Sequence, residues 1–357
     1  MARGKYEKRP EPRKKKKTAA KGGKNNTNKI LLKIMIGILV VLLVLRIAAA
    51  VAMNYVLGKI NRYDREAEEI EFTGEIFETD PTEEGASVET VDPNSVVWET
   101  VSSMSSEDVI NILLIGQDAR PGEGRARSDT MILVSLNKKT NEIDLTSFMR
   151  DMYVQIPGGY YDNKINAAFA LGGAELLDET LEANFGIQVD GNVEVNFEAF
   201  QEVIEALGGV DVEMDSEEAA YMCNGGYSCS SGMNHLDGEA ALTFARMRYV
   251  SGSDYSRTER QRRLITAVIE SLKGSSITDI LGLINTVLPM VTTDLSDSEI
   301  INYATLGLTA LANGGEIQSN RIPEDDAHYS AMINGMSCLV PDLEMCQEDL
   351  REYIYGE

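Results

Sequence analysis

Six arginines lie within twenty residues of a strongly acidic chain, whose formal net charge is -24. Arginine carries a planar, permanently charged fork that binds phosphate oxygens in a bidentate manner. The cluster therefore predicts a binding site for a multiply charged phosphate, most simply a diphosphate. The alternative is a solvated basic face with scattered surface ion pairs. The arginines are Arg246, Arg248, Arg257, Arg260, Arg262 and Arg263.

The residues around this cluster predict a strand, a turn and the start of a helix. The segment AALTFARMR is apolar and aromatic, so we expect a strand with Arg246 and Arg248 on one face. The following SGSD is typical of a turn and helix N-cap, and TERQRRLITAVIESLK has apolar residues at helical spacing. Arg257 and Arg260 then fall in the first turns, where cations oppose the helix dipole. That placement favours a bound anion.

Two carboxylates are expected at neighbouring strand ends. Asp118 follows the apolar run NILLIG, and Asp129 precedes the apolar run MILVSLN. Two such carboxylates commonly hold a hard divalent cation, and Mg²⁺ with a phosphate substrate is the usual combination. The alternative is that both are ordinary turn or capping residues.

Further strand and helix signals follow in the order of an α/β protein. EIDLTSFMRD predicts a strand that ends at Arg150 and Asp151, and the helical stretch after it begins near Lys164. A strand, a helix and a strand come next. In that helix Phe197 and Phe200 have helical spacing, which favours core packing. The alternative is an apolar cleft for a lipid chain, with the helical stretches NAAFALGG and FEAFQEVIEAL as its walls. Residues 215–233 are expected to form a loop.

Charge and hydropathy divide the chain into parts. Residues 1–33 hold thirteen Lys and Arg against two Glu, and residues 34–57 form an apolar run long enough for a transmembrane helix. Residues 58–108 are acidic and lack apolar periodicity, which predicts a disordered linker. Residues 109–357 have the size and pattern of one large α/β domain or two small ones.

The basic flank before a single span predicts a cytoplasmic N-terminus and an extracellular C-terminal part. A cleaved signal peptide is the alternative, although the apolar run exceeds a usual signal core. The oxidising location and short spacings predict disulfides between Cys223 and Cys229 and between Cys338 and Cys346. His235 has no nucleophile near it in sequence, so we interpret it as structural.

Seven separated motifs resemble, in their order, the LytR-CpsA-Psr (LCP) family of bacterial cell-envelope proteins. The resemblance covers roughly Asn111 to Tyr355, and a basic N-terminus with one span is also the family's plan. The motifs are NILLIGQDAR, RSDTMILVSLN, SFMRDMYVQIPG, DNKINAAFALGG, VNFEAFQEVIEALGGVDVEM, HLDGEAALTFARMR and DYSRTERQRRLI.

The resemblance implies a single LCP-type α/β domain with a central mixed sheet flanked by helices. It also implies a phosphotransferase that moves an anionic glycopolymer, such as teichoic acid or capsular polysaccharide, from undecaprenyl pyrophosphate to peptidoglycan. Asp118 and Asp129 would hold Mg²⁺, and with Arg150 and Arg248 they would form the catalytic set. The pyrophosphate ligands implied are Arg150, Lys164, Arg246, Arg248, Arg257, Arg260 and Gln261.

Some residues depart from the family pattern. Met149 replaces a frequent Pro, Ala167 a frequent His, and Ser253 and Ser256 frequent Gly residues. Two other functions stay open at this point: a polyprenyl-pyrophosphate phosphatase, which would use water as the acceptor, and a non-enzymatic envelope regulator or attenuator. Nucleic-acid binding is disfavoured because the exported part is acidic. The basic N-terminal segment suits the anionic surface of the cytoplasmic membrane.

Overall fold

A seven-stranded mixed sheet forms the centre of the molecule, with strand order β1-β10-β7-β2-β3-β4-β11. The computed structural model of the chain describes residues 57–62, 88–117, 125–247, 253–273 and 291–356. Within these residues the strands are β1 (Asn61–Arg62), β2 (Val109–Gln117), β3 (Ser128–Asn137), β4 (Ile143–Phe148), β5 (Tyr153–Val154), β6 (Asn163–Lys164), β7 (Gly191–Asn196), β8 (Val210–Met214), β9 (Gly232–Leu236), β10 (Val291–Thr293), β11 (Ile317–Ile322), β12 (His328–Ile333) and β13 (Met336–Pro341).

The central strands combine both pairing directions. β2 is antiparallel to β3 and parallel to β7, while β4 is antiparallel to β3 and parallel to β11. Three antiparallel pairs lie outside this sheet, namely β5 with β6, β8 with β9 and β12 with β13. The predicted mixed sheet is therefore confirmed.

Helices cover both faces of the sheet. In the described residues they are α1 (Asn166–Phe185), α2 (Phe197–Leu207), α3 (Ser216–Asn224), α4 (Gly238–Ala245), α5 (Ser253–Lys273), α6 (Asp297–Ala312) and α7 (Leu343–Leu350). A π-helical turn follows α7 at Arg351–Tyr355.

Alternating residues of the central strands supply two apolar cores. On one face, Leu113 and Leu133 pack in a core that also includes Leu177 of α1 and Leu350 of α7. On the other face, Ile132 belongs to a core against which α5 packs. Helix α5 is thus anchored to the sheet by apolar contact, and the burial of apolar surface is the dominant favourable term in folding.

The expected strand at AALTFARMR is wrong, because this segment forms most of α4. Asp237 caps the helix by accepting a hydrogen bond from the Ala240 amide at 2.9 Å, and Ala and Leu favour the helix that follows. The expected loop at 215–233 is also only partly correct. Its first half is α3, which begins with a capping box of Asp215 and Glu218.

Part of the segment expected to be a disordered linker packs against the domain. β1 pairs with β10, and Thr90 forms a bridge with Met332. The Trp98 ring stacks on Tyr153 with centroids 6.0 Å apart, and its indole N–H donates to Asp162 at 2.8 Å. Residues 88–108 therefore belong to the folded domain, while residues 63–87 lie outside the described part.

The predicted transmembrane helix at 34–57 lies almost entirely outside the described residues. Among the residues that the structure does describe, no helix combines the length and apolar character needed to span a membrane. The four cysteines are free thiols, so neither predicted disulfide is present. Cys223 is instead exposed on α3, with its sulfur 3.0 Å from the Cys229 carbonyl.

Asp144 is a buried carboxylate in β4 that makes stability depend on pH. Burial raises its pKa to about 6, against opposing hydrogen bonds from Thr146 and Asn320. A raised pKa means that the folded state binds the proton more tightly than the unfolded chain, so this contribution favours folding below pH 4 and is lost as pH rises through 6.

We therefore expect Asp144 to lower the free energy of unfolding by about 1 kcal/mol between pH 5 and pH 7.5. Asp144→Asn should remove that component of the pH dependence, because asparagine does not titrate. Urea unfolding of both proteins at the two pH values measures the difference. Equal pH slopes for the variant and the wild type would contradict this role.

Candidate functional site

An apolar cavity of about 140 Å³ lies where the ends of β2, β3 and β7 meet helices α2, α4 and α5. β2 contributes Leu114 to Gly116, and the Gly116 backbone closely approaches Thr130, which leaves no room for a Cβ. The apolar lining consists of Leu114, Ile115, Ile132, Val195, Phe197, Phe200, Leu242, Ala245, Leu264 and Ile265. Such a surface suits a hydrocarbon ligand.

Polar and charged side chains from α4, α5 and β3 line the same cavity. Arg257 and Gln261 are one turn apart on α5, and the apolar lining residue Leu264 follows on the same face. Arg246 comes from the C-cap of α4, and Asp129 from the start of β3. We call Asp129, Arg246, Arg257 and Gln261 the charged wall. It combines two guanidinium groups with one carboxylate and one amide.

Individual contacts in the charged wall orient it. The Arg246 guanidinium lies over the Phe197 ring at 4.4 Å, a cation–π contact that holds it beside the apolar lining. Arg257 is almost completely buried, at 4% exposure. The amide oxygen of Gln261 is buried and has no hydrogen-bond partner among the described residues. A ligand that donates would satisfy this oxygen, and rotation of the amide would instead present its NH2 group, which can donate to a phosphate oxygen.

Alternating charges extend from Asp129. Arg150 donates to Asp129 Oδ1 at 2.7 Å and lies 3.5 Å from Asp151, and Lys164 Nζ lies 3.0 Å from the other oxygen of Asp151. Lys164 is 3% exposed. The carboxylates already neutralise these cations, so they are held in place without a ligand.

The structure separates the arginine cluster into different roles. Arg246 and Arg257 lie at the cavity, whereas Arg260 is fully buried and bonded to the Met247 carbonyl and to Glu218. Arg262 donates to Ser319, and Arg263 to Glu213 and Glu218. Arg260 was expected to bind pyrophosphate, but the described structure places it away from the cavity.

The remaining expected residues fall into two groups. Asp129, Arg150 and Lys164 are joined by the ion pairs, with Asp129 alone of the three lining the cavity. Asp118 and Arg248 lie outside the described residues. The predictions made for these two stay predictions.

Sequence reasoning only partly identified the residues of this region. Phe197 and Phe200 were interpreted mainly as core, with their helix named as a candidate wall of a lipid cleft, and both line the cavity; helical spacing alone does not separate a core from a cavity wall. Arg127 was not singled out, although its guanidinium donates to Asn166 at the start of α1 at 3.3 Å. The dense basic and acidic pattern RARSDT was the available signal.

The residues present are compatible with magnesium bound together with phosphate. Mg²⁺ prefers oxygen ligands and is usually held by one or two carboxylates and substrate phosphates. Asp129 provides a carboxylate at the cavity, and Asp118 is the second expected ligand. Within the described part of the chain, no group of three or more His, Cys, Asp or Glu could hold a metal on its own. A site completed by phosphate oxygens fits this donor set.

An apolar cavity with guanidinium groups on its wall, on an α/β scaffold, has the chemistry that suits an amphiphilic phosphate. A family model identifies the chain as a member of the LytR_cpsA_psr family, with a match over residues 75–352. The family expected from the motifs is therefore confirmed.

Relatives with names are found by sequence and by structure. A protein from Bacillus mycoides, named polyisoprenyl-teichoic acid–peptidoglycan teichoic acid transferase TagU, is 36% identical over 234 residues, which are 64% of this chain and 73% of the relative. The crystal structure of B. subtilis TagT matches with a TM-score of 0.57 and 27% identity, over 72% of this chain and 96% of TagT. The structure of the LytR-CPS2A-psr family protein YwtF (TagT) with bound octaprenyl pyrophosphate matches with a TM-score of 0.55 and 26% identity over the same shares.

The charged wall leads to a first binding prediction. Inorganic pyrophosphate should bind the protein, and Arg257→Ala should weaken that binding about tenfold or more, because charge-assisted hydrogen bonds contribute roughly 1.5–3 kcal/mol. Arg257→Lys should recover only part of the loss, since a point charge cannot replace a bidentate fork. Isothermal titration calorimetry measures the affinities.

Lys139→Ala is the matched control, because Lys139 is an exposed cation that pairs with Asp108 and does not line this cavity. It should leave the pyrophosphate affinity unchanged. If both variants weakened pyrophosphate binding equally, the binding would reflect general charge attraction and not a defined phosphate-binding site.

Proposed function

We propose that this protein is a phosphotransferase that moves an anionic glycopolymer, such as a teichoic acid or a capsular polysaccharide, from an undecaprenyl-pyrophosphate carrier to peptidoglycan. One observation carries the proposal: guanidinium groups of Arg246 and Arg257 share a cavity with a continuous apolar lining. A polyprenyl pyrophosphate has the same two parts, a chain and a charged head. The names of the TagU relatives and the octaprenyl pyrophosphate bound to YwtF support the assignment.

The proposed binding mode follows from the lining. The diphosphate lies against Arg246, Arg257 and Gln261, and the first part of the hydrocarbon chain enters between Phe197 and Phe200. The cavity of about 140 Å³ is smaller than the usual range of roughly 300–1,000 Å³ for pockets of drug-sized ligands. The distal chain therefore continues outside the cavity, toward the membrane that holds it.

In the proposed reaction, a hydroxyl oxygen of peptidoglycan forms a bond to the phosphorus that carries the glycopolymer. The bond from that phosphorus to the bridging oxygen breaks, and the lipid monophosphate leaves with the electron pair while the hydroxyl proton is released. Negative charge grows on the leaving phosphate beside Arg246 and Arg257. Preorganised cations aimed at such charge are a main source of catalysis in phosphoryl transfer.

Magnesium is part of the proposal as the cofactor. Asp129 and Asp118 would hold it, and when bound it would neutralise charge on the diphosphate. Arg150 keeps Asp129 in position through their 2.7 Å ion pair, and Arg248 is included with the phosphate ligands on the basis of the motif.

The proposed partners include the cytoplasmic membrane, with the N-terminus inside the cell and the domain outside. The basic residues 1–33 and the apolar run 34–57 support this orientation. Protease added to intact protoplasts measures it, since the domain should be digested while the N-terminal segment is spared.

The function is tested by incubating the purified protein with a lipid-linked teichoic acid and with peptidoglycan. We expect glycopolymer to become attached to peptidoglycan, and attachment to fall at least tenfold in Arg257→Ala. Asp129→Ala should reduce the stimulation by added magnesium while some metal-free substrate binding survives. Lys139→Ala should transfer at the wild-type rate. Phosphate release at equal rates with and without peptidoglycan would instead identify a phosphatase.

The apolar lining gives a separate prediction. Phe200→Ala should weaken the binding of a short-chain polyprenyl pyrophosphate but not of inorganic pyrophosphate, because only the former has a chain to contact the ring. Leu207→Ala is the matched control: Leu207 is half-buried on the same helix and packs on the same core, but it does not line the cavity. Calorimetry with both ligands measures the effect. A parallel loss in the two variants would mean that Phe200 acts only as core.

A further inference from the structure

Arg260 lies among the phosphate-facing residues in sequence but on a different face of α5. Arg257 and Gln261 line the cavity, and Leu264 continues that face at helical spacing. Arg260 and Arg263 point instead toward α3, where both contact Glu218. Arg260 is 0% exposed and is the largest completely buried side chain in the described residues.

The contacts of Arg260 are all within the protein. Its Nη2 donates to the Met247 carbonyl at 2.7 Å, and its Nη1 lies 3.5 Å from Glu218 Oε1. Burial lowers the pKa of Arg260 below its ordinary value, and the nearby Glu218 carboxylate opposes that effect. Burying an unpaired guanidinium is strongly unfavourable, so Glu218 is needed as its counter-ion.

Glu218 is itself fixed. It is 2% exposed, and its Oε2 accepts a hydrogen bond from the Asp215 amide at 3.1 Å as part of the capping box of α3. Arg263 also donates to it, with Nη1 at 3.1 Å from Oε2 and Nη2 bonded to Oε1. The start of α3 thus holds a carboxylate that anchors two guanidinium groups of α5.

The Met247 carbonyl is the link to the cavity. Met247 is fully buried and directly follows Arg246, whose guanidinium is held over Phe197 in the cavity lining. A bond from a charged donor to this carbonyl fixes where the chain leaves α4. The position of Arg246 is set by the same backbone segment.

We propose that Arg260 is a positioning residue and not a pyrophosphate ligand. With Glu218 as its counter-ion, it holds the Met247 carbonyl against α5 and thereby places Arg246 for the diphosphate. This role rests on the proposed function, because it assumes that Arg246 contacts the diphosphate. It assigns to Glu218, which does not line the cavity, an indirect part in substrate binding.

A double-mutant cycle on pyrophosphate affinity tests the proposal, since coupling between two residues appears as non-additivity. The variants are Arg260→Leu, Arg246→Ala and the double variant, each titrated with inorganic pyrophosphate. Arg260→Leu should weaken binding about fivefold in the wild-type background, because Arg246 loses its placement. In the Arg246→Ala background the same change should weaken binding less than twofold.

Arg263→Leu is the matched control. It removes the other guanidinium from Glu218 but keeps the Arg260 bond to Met247, so pyrophosphate affinity should stay within twofold of wild type. Arg260→Leu leaves Glu218 paired with Arg263, and so avoids an isolated buried carboxylate. Circular dichroism checks that each variant is folded, and Arg260→Gln serves if the leucine variant is not.

The outcomes are distinct. Additive losses from Arg260→Leu and Arg246→Ala would make Arg260 an independent ligand and overturn the inference, as would unchanged affinity in Arg260→Leu. A wild-type protein that binds no pyrophosphate would overturn both the inference and the proposed function. Wild-type binding and the expected coupling, with no glycopolymer transfer, would overturn the proposed function alone.

Discussion

The burial of guanidinium charge on α5 is the constraint on which this region of the structure depends. Arg257, Arg260 and Arg262 are 4%, 0% and 5% exposed, and each would be costly to bury without a partner. Arg260 lies against Glu218 of α3, and Arg262 lies against Ser319 of β11. Burial lowers the pKa of Arg262 to about 10, an indication of how completely it is removed from water. These contacts fix the helix on two sides and leave Arg257 directed at the cavity.

A second set of charged residues is held in position without any contribution from α5. Asp129, Arg150, Asp151 and Lys164 alternate in sign across β3, the end of β4 and β6. Each cation is held by a carboxylate, so the geometry exists before any ligand arrives. Under the proposed function, a phosphate bound beside Asp129 would approach cations whose positions are already set, and preorganisation of this kind reduces the cost of rearranging groups during a reaction.

Much of this fold could be predicted from local patterns. The runs NILLIG and MILVSLN gave correct strands because strands buried on both faces are continuously apolar. AALTFARMR was misassigned because a short apolar run fits either a strand or a buried helix. The N-cap residue Asp237 is the feature that indicates a helix. The packing of residues 88–108 was missed because it depends on single long-range contacts, such as Trp98 with Tyr153 and Asp162.

For the site, too, the sequence identified the types of residue involved better than their positions in the fold. Charge and spacing identified the arginine-rich segment, position at a strand end identified Asp129, and the family motifs named Arg150 and Lys164 as pyrophosphate ligands. The sequence could not distinguish the role of Arg257 from that of Arg260, because both are arginines and they differ only in the face of α5 on which they lie. That distinction depends on Glu218, which is 42 residues away from Arg260 in the chain. Tertiary partners of this kind leave no periodic signal.

The apolar lining and the charged wall together also limit which phosphate compounds the site would favour. A soluble nucleotide or free phosphate could contact the guanidinium groups but would leave the apolar lining, including Phe200, without a hydrocarbon partner. A ligand with a hydrocarbon chain gains roughly 25 cal/mol for each Å² of apolar surface that it buries there. All polyphosphates could make the charged contacts. The free energy of burying apolar surface is therefore what would distinguish a lipid-linked diphosphate from the others. Under the proposed function, selectivity for a lipid-linked diphosphate would follow from the apolar lining contributed by α2, while Arg246 of α4 and Arg257 of α5 would provide affinity for the phosphate itself.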